Sequence, residues 1–133
     1  MKSALSRADI EQVIRVLRGH GIVYALLFGS SARDALAFDS DIDVAVSAAA
    51  RLTGEQRYRL IGELASVTGR PIDLIDLKTA RGALFAHALR GRELFCDSVR
   101  VKGETLYRRV SLVEEDLEYS RRTFAMAQPR MFQ

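Results

Sequence analysis

Leu26-Leu27-Phe28-Gly29-Ser30-Ser31-Ala32-Arg33-Asp34, followed by Ser40-Asp41-Ile42-Asp43-Val44-Ala45-Val46, is the stretch that decides how this chain is read. An apolar run ends in Gly-Ser, a segment of small residues with one arginine follows, and two aspartates stand at i and i+2 inside a second apolar run. Side chains alternate faces along a β-strand, which predicts Asp41 and Asp43 on one face and Ile42, Val44 and Val46 on the other. Neighbouring carboxylates repel, and burying either one unpaired is costly. The pair wants a cation. Mg2+ is the natural one, because it binds through one or two carboxylates together with substrate phosphates.

The Gly-Ser that precedes them fits the same chemistry. Glycine lets the backbone approach a phosphate closely, Ser30 offers a hydroxyl and an amide, and amides at the start of a helical turn favour anions. Arg33 is near enough in sequence to reach the same phosphates. The pattern lacks the lysine before Ser/Thr of a Walker A loop.

Further along, Ile72-Asp73-Leu74-Ile75-Asp76-Leu77 reads as a third strand behind Arg70-Pro71, which excludes a helix there. Asp73 and Asp76 have opposite parity, so a regular strand cannot aim both at one site. Asp73, flanked by Ile72 and Leu74, is the better third ligand; Asp76 lies at the strand's exit. A lone Asp-x-Asp is weak evidence, whereas Gly-Ser after a strand, then Asp-x-Asp, then a strand-borne aspartate is specific.

The flanking segments read as scaffold. Ser6 to Asp9 is a capping box opening a helix with Ile10, Val13, Ile14 and Leu17 on one face, stopped by Gly19 or Gly21. Residues 22–28 form the first strand and 41–46 the second. The link between them is too short for a parallel crossover, so antiparallel pairing is expected. Residues 31–36 read as a short helical turn. Thr53 to Gln56 is a second capping box, and its helix places Tyr58, Leu60, Ile61, Leu64 and Ala65 inward. Residues 79–90 form another helix, with Leu84, Phe85, Ala88 and Leu89 inward, and Arg92 to Cys96 a short edge strand or an extended link. From about 104 to 126 the chain is helical again, its stripe marked by Leu106, Val110, Val113, Leu117 and Phe124; Pro129 stops it. The fold class expected is α+β, a small mixed sheet backed by helices, in one domain over 1–133 with its core at about 8–95 and a C-terminal helical extension at about 104–128.

Composition narrows the function classes. At 133 residues, 48% hydrophobic and 28% charged, the chain suits one globular domain with a modest core. No apolar run approaches the length of about 18 residues that a membrane span needs, and the start lacks a signal core, so the protein is read as cytoplasmic with no membrane partner. One cysteine excludes an intrachain disulfide, and two distant histidines give no zinc spacing. A net charge of +3 is too mild for a general nucleic-acid binder. His20 reads as a C-cap or surface group, His87 as part of a helix's packing, and Arg108, Arg109, Arg121 and Arg122 as a solvated basic face.

Phe28-Gly29-Ser30-Ser31-Ala32-Arg33, Ser40-Asp41-Ile42-Asp43 and Arg70 to Leu77 together resemble the minimal nucleotidyltransferase family of the DNA polymerase beta-like superfamily. The resemblance covers about residues 8–95 and implies a polymerase beta-like palm fold. It further implies that Gly29 and Ser30 hold a nucleoside triphosphate, with Arg33 nearby, and that Asp41, Asp43 and Asp73 are the catalytic carboxylates binding two Mg2+ ions. The family often has glycine where this chain has Asp34. Stand-alone members of this size look like antitoxins of type VII-like toxin–antitoxin pairs. Such members are similar to protein adenylyltransferases, which move AMP from ATP onto a tyrosine of a HEPN ribonuclease toxin. The resemblance thus implies ATP as substrate and a HEPN-domain protein as partner. Two other readings stay open: a nucleotidyltransferase with a small-molecule or RNA acceptor, and a non-catalytic antitoxin that neutralises its toxin by binding.

Overall fold

The computed structural model describes residues 5–29 and 41–111. Its elements run α1 (Arg7–Gly19), β1 (Ile22–Phe28), β2 (Ile42–Ala48), α2 (Gly54–Thr68), β3 (Ile72–Asp76), α3 (Gly82–Leu89) and β4 (Arg92–Cys96). A further helix, α4, covers 99–111. The four strands lie in the order β3-β2-β1-β4. β1 pairs antiparallel with β2 and with β4, and β2 pairs parallel with β3, so the sheet is mixed and the fold is α+β.

Both expected capping boxes form. The Ser6 hydroxyl accepts from Asp9 N at 3.1 Å while Asp9 Oδ2 accepts from Ser6 N at 3.1 Å. At α2 the Thr53 hydroxyl accepts from Gln56 N at 3.1 Å and Gln56 Oε1 accepts from Thr53 N at 2.8 Å. Each box satisfies two of the amide donors that a helix start leaves open.

Two apolar layers follow from strand alternation. On one face Ile42, Val44 and Val46 of β2 meet Val13 and Leu17 of α1 and Leu60 and Leu64 of α2. On the other, Tyr24, Leu26 and Phe28 of β1 and Ala45 and Ile75 meet Phe85 and Ala88 of α3 and Val101 of α4. A register shift between Ile22 and Tyr24 lets Ile22 and Ala25 share the first face although their numbers have opposite parity. Each fully buried aliphatic side chain stabilises the fold by about 1.5–3 kcal/mol.

Several inward expectations fail at the helices. Tyr58 is 81% exposed and Leu84 51% exposed, because α2 buries through Leu60 and Leu64 and α3 through Phe85 and Ala88. The last helix starts at 99, not 104, and turns Val101 and Thr105 inward, leaving Leu106 and Val110 exposed. The Ser98 hydroxyl accepts from Val101 N at 3.2 Å and so opens the helix early. α3 in turn starts at Gly82, later than the expected 79. Thr79 N and Ala80 N are first taken by the Asp76 carbonyl in a turn, and Gly82 adopts φ 64°. The expected helical turn at 31–36 and everything beyond 111 lie outside the described residues.

Candidate active site

The C-terminal end of β1 and the N-terminal ends of β2 and β3 meet at one end of the sheet. In register, Phe28 stands opposite Asp43 and Asp43 opposite Asp73. Parity puts Asp43 and Asp73 on the face covered by α3, since Ala45 and Ile75, two residues on in each strand, belong to that layer. Asp43 is half-buried, while Asp41, just ahead of β2, and Asp73, on the edge strand, are exposed. The described geometry thus brings Asp43 and Asp73 together and leaves Asp41 at the mouth.

The electrostatics record this crowding. Burial first, then the Asp73 charge and a side-chain hydrogen bond with Asp73, and then the Asp41 charge, raise the Asp43 pKa above the ordinary carboxylate value. His87 acts in the opposite direction. A carboxyl raised by its carboxylate neighbours is one that a divalent cation would relieve, and hard oxygen donors suit Mg2+. The donor set fits a magnesium ion in kind, although among the described residues no three His, Cys, Asp or Glu side chains stand in metal-holding geometry.

Gly29 completes the strand end. Its φ is +60°, and a Cβ there would collide with Asp43 Oδ2. The position therefore excludes a side chain twice, by backbone angle and by the carboxylate packed on it. Ser30, Arg33 and Asp34 lie outside the described residues.

Asp76 has a different task. It is 2% exposed, and its carboxylate accepts from Leu52 N at 2.7 Å and Lys78 N at 2.9 Å. That ties the loop before α2 to the exit of β3. The Arg57 guanidinium donates to Leu74 O at 2.9 Å, occupying a carbonyl of edge strand β3 one residue from Asp73.

His87 is the residue that sequence reasoning placed differently. It is exposed on α3 and stands edge-on to the Phe28 ring, with centroids 5.6 Å apart and planes at 89°. Its isolation among apolar neighbours was the available signal; its position over the strand ends required the crossover from β3 to α3 to be known. A groove of about 470 Å3 between α1 and β4, lined by Leu5, Ile10, Ile14 and Leu94 among others, lies on the opposite face from Asp43 and Asp73.

The family model for polymerase beta, nucleotidyltransferase, matches residues 11–100, which span β1, both aspartate-bearing strands and β4. The chain belongs to the polymerase beta nucleotidyltransferase family. This nucleotidyltransferase is also 31% identical over 96 residues to the protein adenylyltransferase MntA of Shewanella oneidensis, covering 68% of each chain. A crystal structure of a toxin–antitoxin with AMP-PNP is similar at TM-score 0.71 and 26% identity, over 92% of this chain and 98% of that one. A structure of a tri-AMPylated Shewanella oneidensis HEPN toxin in complex with MNT antitoxin is similar at TM-score 0.68 and 25% identity, over 94% and 98%. The mixed sheet backed by helices is the architecture expected of a polymerase beta-like nucleotidyltransferase, and family membership implies a nucleotide as substrate. Among the described residues no helix is long and apolar enough to cross a membrane.

Proposed function

We propose that this nucleotidyltransferase is the antitoxin of a toxin–antitoxin pair and works as a magnesium-dependent protein adenylyltransferase, moving AMP from ATP to a tyrosine of a HEPN ribonuclease partner. The observation that carries the reading is the alignment of Asp43 with Asp73 beside Gly29, in a chain that is similar to MntA over 68% of its length. Asp41, Asp43 and Asp73 would hold two Mg2+ ions, and Gly29, with Ser30 and Arg33 beyond it, the triphosphate. When bound, the ions supply charge stabilisation for the phosphates and activate the incoming hydroxyl.

The chain's own contribution is positioning. Asp43 is held between β1 and β3, and the lack of a side chain at Gly29 lets the Asp43 carboxylate pack against the strand end. Asp73 sits exposed on the edge strand, open to an acceptor carried by a second folded protein. The acceptor oxygen bonds to the α-phosphorus as the bond from that phosphorus to the β-bridging oxygen breaks. Pyrophosphate leaves with the electron pair, and Asp73 receives the hydroxyl proton. ATP as donor and a ribonuclease as acceptor make the cytoplasm the place of action.

The test is incubation with the HEPN partner, Mg2+ and ATP labelled on either the α- or the γ-phosphate. Transfer of the α-label alone is expected, and loss of that transfer in Asp41→Asn plus Asp43→Asn. Transfer of the γ-label, or full transfer by the double variant, would contradict the reading. Tight binding with no transfer would leave neutralisation by masking.

A further inference from the structure

We propose that His87 is a substrate-contacting residue of this site, donating an imidazole N–H from α3 to the phosphate chain of the nucleoside triphosphate. The inference rests on the nucleotidyltransferase reading of the strand ends and extends it to α3.

The placement carries the argument. α3 is anchored on the sheet by Phe85, 2% exposed, and Ala88, fully buried, so His87 between them has a defined position. Arg108 of α4 fixes the entry to α3: its guanidinium donates to Leu77 O and Ala80 O and lies 4.3 Å from the Phe85 ring centroid. His87 is exposed and edge-on to Phe28, the residue paired with Asp43 and followed directly by Gly29. The imidazole thus overlooks the end of the sheet where Asp43 and Asp73 face it, near enough to pull the Asp43 pKa down against its acidic neighbours.

The chemistry fits the position. Asp41, Asp43 and Asp73 offer a polyphosphate only acceptors, which repel it. An imidazole carries an N–H donor in every protonation state, so the contact does not depend on its charge. Packing on Phe28 explains the ring's orientation but gives no role to its nitrogens, which have no hydrogen bond among the described residues, and burial does not explain an exposed histidine.

Two variants separate contact from packing. His87→Phe keeps an aromatic ring against Phe28 and removes the donor, whereas His87→Gln keeps an N–H donor and removes the ring. The measurements are Mg–AMP-PNP affinity of the protein alone by calorimetry, KM and kcat for AMP transfer, and Tm as the folding control. His87→Phe is expected to weaken nucleotide binding and raise KM by about 10- to 100-fold, the worth of one hydrogen bond to a charged group, at near wild-type Tm. His87→Gln is expected to recover most of the affinity. Wild-type affinity and KM in His87→Phe would overturn the inference while leaving the site reading standing. Failure of the wild-type protein to bind nucleotide would overturn both.

Discussion

Asp43 and Asp73 face each other across the parallel β2–β3 ladder on the α3 side of the sheet, and their proximity is one of the causes that raise the Asp43 pKa. Such a pair is a local instability that the fold tolerates, as binding sites commonly are. The folded-state pKa of Asp43 lies above its unfolded value, so the native state binds more protons between the two. Stability contributed at this site therefore falls as pH rises from the ordinary carboxylate range through the raised pKa. In EDTA, Asp43→Asn is expected to raise Tm at neutral pH by a few degrees and to flatten this part of the pH profile. Added Mg2+ should raise the wild-type Tm and leave the variant unmoved. Thermal melts from pH 4 to pH 8 with and without Mg2+ check all three.

Gly29→Ala tests the packing of the strand end on Asp43. The substitution forces a Cβ into a left-handed backbone position and against Asp43 Oδ2. A cost of about 1–3 kcal/mol is expected from the backbone strain, with loss of nucleotide binding because the carboxylate must move. Denaturant unfolding and nucleotide titration of one preparation give both numbers. By contrast, Gly69, also at positive φ, has open space around it, so Gly69→Ala should cost only about 1 kcal/mol and leave binding intact.

Arg108→Ala tests the clamp that sets α3. It removes the donor to Leu77 O and Ala80 O and the stacking on Phe85, and burial already lowers the guanidinium pKa, with Arg81 adding to the shift. The expected loss is about 2–4 kcal/mol by chemical denaturation. Arg108→Lys should recover little of it, because an ammonium cannot donate to two carbonyls from a planar fork.

Much of the core was legible from local rules. Strand parity in Ile42-Asp43-Val44 separated the carboxylate from the core face, and the short link after β1 implied the antiparallel pairing with β2 that the sheet has. Ser6 with Asp9 and Thr53 with Gln56 marked helix starts because capping is decided within four residues. What failed depended on tertiary contacts. Tyr58, Leu84, Leu106 and Val110 fit helical periodicity, yet which face a short helix buries is decided by the sheet it meets. At the candidate site, the pairing of Asp43 with Asp73 could be anticipated from two strand patterns. The approach of His87 could not, since it depends on how β3 crosses to α3.

The role proposed for Asp41, Asp43 and Asp73 is to move AMP onto a partner protein. The most direct measurement is the intact mass of the HEPN partner after incubation with this protein, ATP and Mg2+. A gain of one or more AMP masses on the partner is expected, reduced at least about 1,000-fold in rate by Asp41→Asn plus Asp43→Asn. An unchanged partner mass, with the wild-type protein folded and bound to that partner, would contradict it.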